Sequence, residues 1–166
     1  MTTHTTLDMV LTRTFEAPVE VVWDAWTQSD LVKRWWGPKG FTAPVAEMDV
    51  REGGTSLVCM RAPAEYGGQD LYNTWTYTEV VPGERLAYVN GFSDANRNPL
   101  DPASLGLPPA IPAQVPHVVT FRALDADRTE VTVRESGYAS PEIVEVSRSG
   151  MAECLDKMAS LVERPR

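Results

Sequence analysis

The spacing of apolar and polar residues changes period along the chain, and each change marks an element. Residues 6–17, TLDMVLTRTFEA, alternate, with Leu7, Met9, Leu11 and Phe15 on one side and Asp8, Thr12 and Glu16 on the other. That pattern predicts a half-buried strand. From Pro18 the apolar positions Val19, Val22, Trp23 and Trp26 recur at three- and four-residue steps. A helix with one apolar face is expected there, with Pro18 in its first turn and Glu20 at its positive end. A second short helix is expected to start at Ser29 or Asp30, either of which can cap it, and to stop at Gly37-Pro38. Period two then returns. Residues 43–61 read as two strands joined at Gly53-Gly54, and residues 70–92 as a hairpin turning at Pro82-Gly83. Residues 115–136 read as a second hairpin turning at Asp125–Asp127. After Ser140 the helical period comes back, with Val144, Met151, Leu155, Met158 and Val162 in step. Ser140 is the expected N-cap, Pro141 and Glu142 fill the first turn, and the helix should run roughly 35 Å. Gly150 within it costs about 1 kcal/mol relative to alanine, which points to a close contact or a kink.

Between the hairpins, residues 93–116 hold Pro99, Pro102, Pro108, Pro109, Pro112 and Pro116. Few helices or strands tolerate that density, so the segment reads as a lid, a binding loop or a disordered insert. Leu100, Leu105, Leu107 and Ile111 argue against full disorder. No internal repeat and no domain boundary is visible, so residues 1–166 read as one domain. The expected class is α+β: six or seven antiparallel strands, two short helices after the first, and one long terminal helix. An antiparallel sheet has one apolar face to cover, and only the long helix is large enough to cover it.

Charge and composition narrow the partners more than the fold. A net charge of −8 and a pI near 4.7 disfavour nucleic acid and anionic membrane as partners. No apolar run reaches the ~20 residues of a membrane span, and the first ten residues lack a secretory pattern, so a cytoplasmic location is expected. Cys59 and Cys154 fit reduced structural thiols. Scattered as they are, two cysteines and two histidines make no zinc pattern, and His4 reads as a solvated terminal residue. There is no phosphate-binding glycine loop and no serine elbow; EGGTS at 52–56 is a turn. Neither metal nor cofactor is expected.

Five stretches in order, FEAPVEVVWDAWTQSD, RWWGPKGF, DVREGG, TYTEVVPGERLAY and VTFRALDADRTEVTV, followed by the terminal helix, carry a resemblance. Over residues 10–162 the chain resembles the SRPBCC superfamily of START-like, helix-grip proteins. Its branch resembles the family named for the C-terminal domain of the heat-shock-protein ATPase activator. The resemblance implies a curved sheet gripping the long helix with a cavity between them. It does not imply one activity, because function lives in sites grafted on folds. Two features depart from the pattern: the 93–116 segment is longer than the usual link, and Met151 stands where relatives often carry tryptophan.

Alternation assigns Val58 and Met60, then Asn73, Trp75, Tyr77 and Glu79, to the face turned toward the helix. On later strands the same face takes Leu86, Tyr88, Asn90 and Phe92, then His117, Val119 and Phe121, then Val131, Val133 and Glu135. The expected cavity lining draws on Met60, Asn73, Trp75, Tyr77, Tyr88 and Asn90 from this set, with His117, Val119 and Phe121. Trp35 and Trp36 join it from the second helix, and Met151, Leu155 and Met158 from the terminal one. Adjacent on a helix, the two indoles point about 100° apart. Either one faces the cavity while the other packs, or both close the core. Lys33, Arg34 and Lys39 form a solvated rim or meet an acidic head group. His117, paired with Glu135 or Tyr77, is the acid–base candidate, although a position after Pro116 at a strand start is often exposed.

Three functions follow. The first is a carrier or sensor of a small apolar or amphipathic molecule. The second is a cofactor-independent cyclase, dehydratase or hydrolase using His117, Tyr77 and Glu135. The third is a chaperone-ATPase cofactor or a stress-response protein. Edge strands leave a homodimer open.

Overall fold

A computed structural model describes residues 6–108 and 110–163; His4 and Pro109 lie outside the described residues. The first alternating segment forms β1 (Leu7–Phe15), and the two apolar-faced segments form helices α1 (Val19–Thr27) and α2 (Ser29–Trp35). Strands β2 (Thr42–Glu47), β3 (Thr55–Arg61), β4 (Asp70–Val81), β5 (Arg85–Ser93), β6 (Gln114–Asp125) and β7 (Arg128–Tyr138) follow. The chain then enters α3 (Pro141–Val162). All seven strands make one antiparallel sheet in the order β1-β7-β6-β5-β4-β3-β2. Its apolar face curves around α3, with α1 and α2 covering the same side. This is the α+β helix-grip fold expected from the sequence.

One helix cap differs from expectation. Gln28 is the N-cap of α2 and makes no side-chain cap bond. Ser29 instead donates its hydroxyl to the Ala46 carbonyl of β2, tying helix to sheet. The α3 cap is as expected, with the Ser140 hydroxyl accepting from the Ile143 amide at 3.4 Å. The corner after α2 is built around Lys157 of α3, whose ammonium donates to the carbonyls of Gly37 at 2.9 Å and Phe41 at 3.2 Å. Gly37 is required there: its φ is +97°, and a Cβ would sit 3.0 Å from that of Phe41. Burial lowers the Lys157 pKa, so the carbonyls stand in for lost water.

Strand parity breaks at two bulges. On β4 the register shifts between Tyr77 and Glu79. Val80 therefore packs on the core, while Glu79, expected to face the helix, pairs with Arg85 at the surface. On β7, Leu7 pairs with Tyr138 but Met9 with Glu135, so three residues of β7 answer two of β1. Gly137, at φ +98°, supplies the left-handed backbone that this bulge needs. Glu135 and Tyr138 consequently share a face that simple alternation denies them.

The proline-rich segment is folded at its described positions. Ser93 bridges to Pro99, and Asp94 Oδ1 accepts from the amides of Asn96 (2.8 Å) and Asn98 (3.0 Å). A 3₁₀ turn, Pro102–Leu105, is capped by Asp101. Residues 114–116 already belong to β6 and pair with β5, while the β6–β7 register starts at His117. Pro116 is thus tolerated in a strand because no β7 partner faces it.

Candidate functional site

Where α1 and α2 cover the sheet, the space is full. Trp26, Trp35 and Trp75 are fully buried, with Trp35 4.8 Å from Trp26 and 6.4 Å from Trp75 by ring centroid. The Trp35 indole donates to the Ala25 carbonyl at 2.6 Å. Toward the N-terminal half of α3 a gap remains, a cavity of about 540 Å³. Asn73, Asn90, Phe92 and His117 form its sheet wall; Ile143, Ser147, Gly150 and Met151 form its helix wall. Trp36 and Phe41 close the α2 side, and Leu107 and Ile111 reach in from the proline-rich segment. Val146, which is 64% exposed, also lines the cavity and so marks its open side.

Six of the fourteen residues expected to line a cavity do so: Trp36, Met60, Asn73, Asn90, His117 and Met151. The other eight do not. Trp35, Trp75, Tyr77 and Tyr88, with Val119, Phe121, Leu155 and Met158, are buried core residues outside the lining. They face the right side, but α1, α2 and one another fill the space in front of them. The two adjacent indoles part company, Trp35 into the core and Trp36 onto the cavity. Lys33, Arg34 and Lys39 are exposed and outside the lining. Cys59 and Cys154 are free and buried; Cys154 borders the cavity, and burial pushes its thiol up to about 12. It is therefore a neutral, apolar wall group.

A polar cluster of the wall centres on Glu135. His117, only 7% exposed despite following Pro116, places Nε2 3.1 Å from Glu135 Oε2 and Nδ1 2.9 Å from the Val115 carbonyl. The other carboxylate oxygen accepts from the hydroxyls of Tyr138 and of Ser147 on α3. Burial alone would raise the Glu135 pKa. The hydrogen bond and charge of His117, with the bonds from Ser147 and Tyr138, outweigh burial and hold it below its ordinary value. Tyr138 moves the opposite way, raised by burial and by the adjacent carboxylate, and stays a hydroxyl donor. Both ring nitrogens of His117 thus face acceptor oxygens, one of a carbonyl and one of a carboxylate. Tyr88 stacks on the imidazole at 4.9 Å and fixes its plane. Neither ring nitrogen is left free for a substrate.

Tyr77, the third acid–base candidate, is remote from this cluster: its hydroxyl bonds Ser56 Oγ at 2.7 Å in the buried core. Sequence reasoning missed Tyr138 and Ser147. The Ser-Gly pair inside β7 was the available signal, since glycine within a strand often marks a bulge. Among the described residues no three His, Cys, Asp or Glu side chains converge as metal ligands would, and no helix is long and apolar enough to cross a membrane.

Residues 16–163 match a family model described as Activator of Hsp90 ATPase homolog 1-like protein. A crystal structure of a Chromobacterium violaceum protein is 27% identical, covers 95% of this chain and 98% of its own, and superposes with a TM-score of 0.76. A Mycobacterium smegmatis protein is 25% identical, with coverages of 96% and 93% and a TM-score of 0.74. The AHSA1 protein of Silicibacter pomeroyi shares the fold at 17% identity, with coverages of 93% and 96% and a TM-score of 0.72. No curated protein matches the chain significantly.

Proposed function

The chain belongs to the Activator of Hsp90 ATPase homolog 1-like family, within the SRPBCC, helix-grip superfamily, and we propose that it binds a small apolar or amphipathic molecule between its sheet and α3. Family and fold support a ligand-binding or cofactor-like domain in general terms; the finer reading is ours. In it the whole chain is one cytoplasmic binding unit that needs no cofactor. The observation that carries this reading is the cavity of about 540 Å³, a size suited to a small organic ligand. Its walls are mostly apolar, with one convergent polar cluster at Glu135 to orient a polar end.

A second reading, acid–base catalysis in the same cavity, draws on the buried His117–Glu135 pair. Binding is favoured over it because both imidazole nitrogens are already engaged and Tyr77 is remote. A chaperone-cofactor role would instead appear as recovery of an Hsp90-type ATPase in a pull-down.

The binding reading is tested by thermal unfolding in the presence of lipid extracts and hydrophobic dyes. A ligand present at roughly 100 times its Kd should raise Tm by about 5–10 °C. No shift with any extract or dye, at concentrations that saturate a known carrier of similar size, would refute it.

A further inference from the structure

Most positions on the inner side of α3 are accounted for by packing; Gly150 is not. A glycine inside a helix destabilises it relative to alanine, so a local reason is expected. Elsewhere in the chain such reasons are plain. A Cβ at Gly54 would lie 2.4 Å from the Asp49 carbonyl oxygen. At Gly150 none applies. The residue sits within the unbroken helix Pro141–Val162, its φ is not positive, and an added Cβ would meet nothing within 4 Å. The close contact offered from sequence is therefore absent, and the helix runs unbroken through the position. The space left open belongs to the cavity, because Val146, Ser147, Gly150, Met151 and Cys154 line it together. They recur at three- and four-residue steps and make one continuous strip of the helix.

We infer that Gly150 is where the apolar body of the bound molecule rests directly on the backbone of α3, so that this position sets how thick a ligand the cavity admits. The inference deepens the binding role proposed above and rests on it. The ligand it describes presents a broad apolar face to bare helix backbone, between the Met151 thioether and the apolar side chains at the cavity's open side. A side chain here would gain helix propensity and occupy the ligand's place.

The test uses the fluorescent dye 8-anilinonaphthalene-1-sulfonate as the probe on the full chain. Gly150→Ala should raise the Tm of the unliganded protein by about 2–4 °C. It should also weaken the dye about 10-fold, the scale at which one added carbon discriminates in an apolar site. Gly150→Leu should abolish dye binding in a folded protein. Ile143→Trp, which fills the cavity elsewhere, is the comparison. If it weakens the dye while both Gly150 variants bind as wild type does, the role of Gly150 is overturned and the cavity reading stands. If all three variants bind dye unchanged, both fall. If Gly150→Ala lowers the Tm, the glycine serves packing and the inference is overturned.

Discussion

The two halves of α3 lie on the same sheet and do opposite things. Its C-terminal half buries Leu155, Met158, Ala159 and Val162 against a core that α1 and α2 complete. Its N-terminal half presents Ile143, Val146, Ser147 and Gly150 to open space. The sheet repeats the division: Trp75 and Tyr88 are sealed beneath other aromatic rings, while Phe92 and Asn90 border the cavity. A filled interior is held at native density by interlocking large side chains. The difference between the halves is one of coverage as well as residue size. The helical pair lies over one end, and the other end is bordered by Trp36, Phe41 and the proline-rich segment.

This comparison can be broken by substitution. Trp35→Ala removes a buried indole, its contacts with Trp26 and Trp75, and its bond to the Ala25 carbonyl. It should cost about 3–5 kcal/mol in denaturant unfolding. Leu155→Ala on the packed half should cost about 2–5 kcal/mol, whereas Val146→Ala on the open half should stay within about 0.5 kcal/mol. Equal losses in that pair would erase the distinction between the halves.

The polar cluster sharpens the comparison, because through Ser147 it ties the open half of α3 to β7. Glu135→Gln should lower stability at neutral pH by about 1–3 kcal/mol by weakening bonds to His117, Tyr138 and Ser147. Its pH signature is more specific. The folded-state pKa lies below the ordinary 4.5, so the carboxylate's contribution is complete above that pH and is lost as pH falls through the folded value. Urea midpoints measured from pH 7 downward should therefore fall less steeply below 4.5 in the variant than in wild type. Parallel curves would remove Glu135 from the account.

Periodicity was enough to read the elements, their order and most of the inward face, because the two periods belong to strand and helix geometry. It misassigned Glu79 and overlooked Tyr138, each beyond a bulge that reverses parity, and only Gly137 announced one of them. The cavity was less legible. Alternation tells which side Trp75, Tyr77 and Tyr88 face, not whether another residue already fills the space before them. That depends on where α1 and α2 come to rest, which is set by contacts such as Ser29 to Ala46 and Lys157 to the Gly37 corner. Those contacts join residues far apart in the chain, and no local pattern carries them.

Native mass spectrometry of gently purified protein addresses the hollow half most directly. The account predicts a fraction of molecules carrying one noncovalent small-molecule mass, released on denaturation and absent from Gly150→Leu. The bare chain mass alone, unchanged after incubation with lipid extract, would contradict it.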